Sequence, residues 1–440
     1  MNNYPSVLII GQTFDKSGGG ITLANLFLGW PKDKIAVASM EVDTNDKSVC
    51  TKNYVLGYLE TKKPWPLSLL QRKWYSGPMD VEDKKFTQHL LMQSKENEFR
   101  RFVRVKYLSA QHSLGIFHYI HRMAPSEKFI SWVNDFKPDL IYTQLSSLGL
   151  IRTVKSLNEM TGIPMAIHIM DDWPATIVKP GLLSSYWKKV IDREFRELID
   201  RSVALMSICQ AMSDEYEKRY GRKWLSFHNP IDMTMWKGKS RCSWEVNNPI
   251  RIMYAGRLGD VNLSALSDIC EAVSDLRSEG HSIVIDVRTP DRYNHQTKIF
   301  EKYSFVEVNP YIRHEEMPQK LRSMDLLIIP LDFTAENIKF TQFSMPGKTS
   351  DYMASGTPIL VYAPPQNALV TYAKDGGWGY VVGERDTQEL KKAIKALVSD
   401  ESLRERLGRK AIELAFKNHD ATVVRHEFQN YLMNSAKMNA

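Results

Sequence analysis

The sequence predicts an α/β protein built of two doubly wound parallel sheets, each flanked by helices, that face one another across a cleft. Three observations carry that expectation. The chain has 440 residues, more than the roughly 100–200 that one compact core organises. Short apolar runs alternate with segments of helical period, the pattern of parallel strands joined by crossover helices. The alternation breaks at residues 237–249, which are polar, punctuated and aperiodic, and then begins again. The reading is a first domain over 1–240 and a second over 241–425, with ligands expected beyond the carboxyl ends of the strands.

In order, Ser6–Ile10 is an apolar run followed by Gly11, the glycines 18–20 and a helical stretch from Ile21 to Phe27. Strands are expected at Lys34–Ser39, Pro138–Tyr142, Ile163–Met170 and Val203–Ser207, with helices near Gly149–Met160 and Ala211–Tyr220. Residues 51–130 fit the alternation poorly and read as a mostly helical insertion. Beyond the break, strands are expected at Ile250–Tyr254, Ser282–Val287, Val306–Val308, Asp325–Leu331 and Thr357–Tyr362. Helices are expected at Leu263–Glu279, Met317–Ser323, Thr349–Ser355 and from Asp386 onward.

Composition excludes several classes. With 43% hydrophobic and 25% charged residues, disorder, collagen and membrane channels are ruled out. No stretch approaches the roughly 18 uncharged apolar residues of a spanning helix, and the Met1 end runs into an apolar strand, so a cytoplasmic location is expected. Cys50, Cys209, Cys242 and Cys270 lie far apart, against both a disulfide framework and structural zinc.

Lys+Arg 58 less Asp+Glu 51 is +7. Residues 61–123 hold twelve bases and five acids, and twelve less five is again +7. Aromatics interleave with those bases, including Trp65, Trp74, Tyr75 and Tyr119. Such a segment suits an anionic membrane surface, though a solvated helical face explains it equally. No helix-turn-helix, zinc-finger or RNP-like string accompanies it, so nucleic acid is not the expected partner.

Four strings could carry chemistry. Tyr254-Ala-Gly-Arg-Leu-Gly259 ends a strand, where Gly256 admits close approach and Arg257 can fork onto diphosphate oxygens. Pro346-Gly-Lys348 opens a helix, with Asp351 one turn on. Backbone amides and the Lys348 charge can hold a phosphate there while Asp351 accepts from ribose hydroxyls. An exposed ion pair is the plain alternative, but a lysine in a first turn opposes the helix dipole. The third string, Gly18-Gly19-Gly20, precedes a helix without the Gly-x-Gly-x-x-Gly spacing of a nicotinamide dinucleotide site. The fourth, Asp171-Asp-Trp-Pro174, ends a strand, where a carboxylate can orient an acceptor hydroxyl or cap the next helix. His168 reads as a core histidine. No Asp-x-Asp string offers a metal site for a diphosphate, so no metal or other cofactor is expected and neutralisation falls to Arg, Lys and backbone dipoles.

Taken together the chain resembles the retaining GT-B glycosyltransferases of family 4, which include many bacterial polysaccharide and O-antigen transferases. The matching pieces are Gly18–Ile21, Asp171–Pro174, Ser207 with the helix Ser213–Tyr220, His228-Asn-Pro-Ile-Asp232, Tyr254–Leu258, Met317–Leu331, Pro346–Pro358 and Gly376–Val382. The resemblance implies a GT-B fold whose last helix, 426–440 with Tyr431, crosses back to the first domain. It implies a nucleoside diphosphate sugar donor on the second domain and a saccharide or lipid-linked saccharide acceptor on the first. Arg257 and Lys348 would bind the diphosphate, Asp351 the ribose, and Gly19 and Gly20 a phosphate, with Asp171 near the reacting centre. Two positions depart from the family: Phe343 stands where many members have the first Glu of a Glu-x7-Glu pair, and Asn262 where a Lys is usual. A sugar-nucleotide epimerase of the same fold, or a catalytically inactive partner subunit of a polysaccharide assembly complex, are the alternatives.

Overall fold

A computed structural model describes residues 4–14, 19–40, 48–71, 73–79, 98–290 and 295–437. The chain divides into two compact units, one of Met1–Phe227 with Arg425–Ala440 and one of His228–Val424.

Among the described residues the first unit holds eight strands: β1 (Val7–Ile10), β2 (Ile35–Ser39), β3 (Lys52–Val55), β4 (Gly77–Met79), β5 (Leu140–Thr143), β6 (Met165–Ile169), β7 (Ser202–Ser207) and β8 (Leu225–Ser226). Their order is β4-β3-β2-β1-β5-β6-β7-β8, parallel throughout except for β4 against β3. Every residue of β1, β2, β5 and β6 is buried, as strands covered by helices on both faces require. The helices between them start and stop on local chemistry. Ser147 accepts from the Leu150 amide to open Leu148–Thr161, and Gly162, at φ +70°, closes it.

The described residues of the second unit hold six parallel strands, β9 (Ile250–Ala255), β10 (Ile283–Thr289), β11 (Val306–Pro310), β12 (Leu326–Pro330), β13 (Ile359–Tyr362) and β14 (Tyr380–Val382), in the order β11-β10-β9-β12-β13-β14. Its core joins Ile252, Ile285 and Ile328 from the sheet to Leu266, Ile269 and Val273 of the helix Leu263–Ser278 and to Leu390 and Ile394 of the helix Thr387–Ser399.

Two sequence expectations need correction. Residues 51–130 are not one helical insertion, because β3 pairs with β2 in parallel and β4 returns against β3, widening the first sheet by two strands. Both are short, and β4 contains Gly77 and Pro78, so neither shows the apolar run of a central strand. Helices Glu98–Ser113 and Glu127–Phe136 follow; residues 80–97 lie outside the described residues. The second correction concerns the boundary. The units divide at 227/228, and the polar stretch 237–249 is fastened to the second unit rather than linking two. Arg241 bonds the Ser243 and Glu245 carbonyls and pairs with the fully buried Asp325, while the Trp244 indole N–H donates to the Gly356 carbonyl. Apolar periodicity is absent because the stretch is held by side chain to backbone hydrogen bonds.

The carboxyl-terminal segment belongs to the first unit. Phe428 is fully buried against Phe27, Tyr142 and Phe227, and the Gln429 amide donates to the Leu26 and Leu28 carbonyls. Full burial of one such phenylalanine contributes about 1.5–3 kcal/mol.

Candidate active site

Strand order reverses in the second unit between β9 and β12, and in doubly wound sheets ligands bind at the carboxyl ends of the strands at such a switch point. The loop Gly256–Asn262 leaves β9 at that place, and the helix Lys348–Ser355 follows β12 in the chain. The Tyr352 hydroxyl accepts from the Ala255 amide at 2.8 Å, fixing this helix to the end of β9.

Gly256 adopts φ +153°, and a Cβ built on it would stand 2.7 Å from Lys348 Nζ. Only glycine lets the lysine lie against the backbone there. The ammonium of Lys348 stacks 3.7 Å from the centroid of the Tyr254 ring. Burial lowers its pKa to about 7. One turn on, burial raises the Asp351 carboxyl to about 6, with His314 acting in the opposite sense. Asp351 Oδ1 and the neighbouring Thr349 hydroxyl are buried without a hydrogen-bond partner, an arrangement that costs stability unless something else satisfies it.

Arg257 is exposed. Tyr311, whose pKa is raised by burial and by Asp351 and lowered by Arg257, lies within electrostatic reach of both. Arg257, Lys348 and Asp351 are therefore brought together on one unit, with Tyr311 and His314 beside them. Gly19, Gly20 and Asp171 belong to the other unit. Gly19 and Gly20 are the first two residues of the helix Gly19–Phe27 rather than a loop, and the preceding residues 15–18, with Gly18, lie outside the described residues.

The acid pair 171–172 divides in role. Asp172 is buried, accepting from the Tyr216 hydroxyl at 2.9 Å and from Arg219 at 3.0 and 2.9 Å. Burial still raises its pKa against the opposing pull of Arg219. It is a fastening between the 171–174 turn and the helix Gln210–Tyr220. Asp171 is exposed at the carboxyl end of β6. His168 is a core residue, fully buried with Nδ1 2.7 Å from the Tyr142 hydroxyl and its pKa lowered by burial to about 3.

Asn262, where the resemblance calls for a lysine, is mostly buried and structural. Its amide donates to the Tyr254 hydroxyl at 2.9 Å and to the Arg257 carbonyl at 3.0 Å, and its oxygen accepts from the Gly259 amide at 3.1 Å. The Tyr254 hydroxyl donates to the same Arg257 carbonyl at 2.5 Å. Sequence reasoning missed Tyr254, Tyr311 and His314. Tyr254 stood inside the Tyr-Ala-Gly-Arg string, but a strand tyrosine is indistinguishable from a core one until the loop folds back over it.

Residues 249–400 match the family model described as Glycosyl transferases group 1. The matching stretch lies within the second unit. Solved structures extend the fold across the whole chain: an Anabaena protein, HepE, in complex with UDP and glucose aligns at TM-score 0.60 and 12% identity over 98% of this chain and 99% of its own. A sucrose-phosphate synthase from Thermosynechococcus elongatus aligns at 0.61 and 10% over 96% and 97%. WaaG, a glycosyltransferase involved in lipopolysaccharide biosynthesis, aligns at 0.57 and 11% over 96% and 98%. Two parallel-sheet Rossmann-like units of this kind make the architecture GT-B. No curated protein sequence matches the chain.

Proposed function

We propose that this enzyme moves a sugar from a nucleoside diphosphate sugar to a hydroxyl of a saccharide or lipid-linked saccharide, with retention of anomeric configuration, as a family 4-like transferase in bacterial surface polysaccharide synthesis. The observation that carries the reading is the convergence of Arg257, Lys348 and the unpartnered Asp351 oxygen at the switch point of a glycosyltransferase domain. As the bond between the anomeric carbon and the diphosphate breaks, negative charge grows on the departing oxygens. Lys348 and Arg257 stabilise it, aided by the amides opening the helix Lys348–Ser355. Asp351 and Thr349 accept from and orient the ribose hydroxyls. Gly19 and Gly20 offer backbone amides to a phosphate. Asp171 steadies the positive charge on the sugar ring or the acceptor proton, and the acceptor oxygen bonds the anomeric carbon on the face the diphosphate leaves, its proton passing to the departing diphosphate oxygen. No metal or other cofactor has a role in this proposal, and the chain works at the cytoplasmic face of the membrane.

UDP is the first nucleotide to test, because a protein of the same fold is known with it bound. The experiment is a thermal-shift panel of nucleotide sugars, followed by product analysis with and without a lipid-linked acceptor. Transfer that requires acceptor supports the reading. Conversion of donor without acceptor makes the enzyme an epimerase, and absence of nucleotide binding makes the chain an inactive partner.

A further inference from the structure

In the first unit, two segments distant in sequence lie side by side and turn apolar side chains outward. The Leu182 amide donates to the Ser113 carbonyl at 2.9 Å, and the Trp187 indole N–H donates to the Gly115 carbonyl at 2.6 Å. This fastens the turn before the helix Ser184–Arg201 to the corner after Glu98–Ser113. Buried Trp187 is the anchor. Around it Leu114, Tyr119, Leu182, Leu183 and Tyr186 remain exposed, Leu182 by 81% and Tyr186 by 56%.

Residues 99–126 and 173–191 contain no Asp or Glu, and Arg122, Lys188 and Lys189 within them are exposed. Arg122 lies over the Tyr119 ring, 4.0 Å from its centroid. A row of stacked rings runs across the face: His121 on Phe117 at 4.4 Å and Phe117 on His112 at 4.0 Å. The His121 pKa is lowered by burial and then by Lys63, and that of His112 by burial and then by Lys179. A lysine therefore stands at each end of the row. Trp65 and Leu69, which follow Lys63 in the chain, are also exposed.

A second copy of the same face would meet like charge with like. A polynucleotide would use the bases and have no use for Leu182 or Leu183. Protruding leucines and tyrosines beside the exposed cations Arg122, Lys188 and Lys189 match an anionic bilayer, whose headgroups are negative and whose acyl boundary accepts apolar side chains.

We propose that this face of the first unit docks on an anionic lipid bilayer, with Leu114, Leu182, Leu183 and Tyr186 entering the headgroup–acyl boundary and the surrounding lysines and arginines meeting lipid phosphates. The inference deepens the lipid-linked acceptor reading, on which its purpose rests, but vesicle binding is measured without donor or acceptor, so either can fail alone. The purified full-length chain is sedimented with phosphatidylcholine vesicles and with vesicles containing a quarter phosphatidylglycerol. Binding is expected to the second only, and to weaken in high salt. The double variants Leu182→Ser/Tyr186→Ser and Lys188→Glu/Lys189→Glu are each expected to bind more than tenfold more weakly with an unchanged melting temperature. Trp65→Ser/Leu69→Ser is expected to weaken binding less. Absence of binding to the anionic vesicles, or equal binding by wild type and both doubles, overturns the proposal. So does a change in self-association by Leu182→Ser/Tyr186→Ser in ultracentrifugation without a change in vesicle binding. If either double is unfolded, the single Lys188→Glu variant carries the same expectation at smaller size.

Discussion

Lys348 rests its ammonium 3.7 Å from the centre of the Tyr254 ring, and the backbone of Gly256 leaves just enough room for it. This is a desolvated cation paired with an aromatic face, available to an anionic ligand without first breaking an ion pair. Replacing it with Ala should lower kcat/KM by about two to three orders of magnitude, the range seen when one charge-stabilising donor is removed. The fold should survive. Steady-state transfer rates with a melting curve on the same sample check both halves, and near wild-type transfer would remove Lys348 from the site.

The same residue predicts a proton linkage. With its pKa lowered to about 7, Lys348 is largely neutral at pH 8 and largely charged at pH 6. A bound diphosphate favours the charged form, so binding should take up a proton at pH 8 and little at pH 6. Calorimetry in two buffers of different ionisation enthalpy reads that uptake directly. Because the unfolded chain holds this proton up to about pH 10, the group's contribution to stability rises with pH between about 7 and 10. Asp351, raised to about 6, runs the other way: the folded chain holds the extra proton, so its contribution rises as pH falls through 6.

Asn262→Ala should raise the donor KM about tenfold and change kcat less, because it removes three hydrogen bonds that hold the Arg257 carbonyl, the Gly259 amide and the Tyr254 hydroxyl rather than a group touching the donor. Tyr254→Phe should do the same more mildly. A fall in kcat with KM unchanged would mean that Asn262 meets the reacting atoms instead.

Adjacent acids should separate in the laboratory. Asp171→Asn is expected to lower turnover by about a hundredfold with no loss of stability. Arg219→Ala, which takes the cationic partner from buried Asp172 and leaves it the Tyr216 hydroxyl, should cost about 3 kcal/mol and act on turnover only through folding. Denaturant unfolding beside initial rates tells the two apart.

The alternation of strands and helices was legible because buried parallel strands such as Val7–Ile10 and Leu326–Pro330 are continuous apolar runs. The strands Lys52–Val55, Gly77–Met79 and Leu225–Ser226, at or next to the ends of the sheet, were not, being short and carrying polar residues or proline. Within the site, Arg257, Lys348 and Asp351 could be picked out because a glycine turn or helix start exposes its neighbours' chemistry in the sequence itself. Tyr311 and His314 could not, since they reach the site from the end of another strand. Asn262 looked like a loss of charge, and only its three bonds make it a support.

The first unit is discontinuous in the chain and the second is not. Residues 228–424 can thus be expressed as a single piece, and that piece should keep the groups proposed to hold the nucleotide, whereas a gene fragment ending at Phe227 would lack Phe428 and Gln429 and expose the aromatic cluster they cover. A fragment begun at residue 249, where the family match starts, would forfeit Trp236, Arg241 and Trp244 and with them the clasp on Asp325 and Gly356. Supplying the peptide 421–440 in trans to the 1–227 fragment is then a route to restoring solubility.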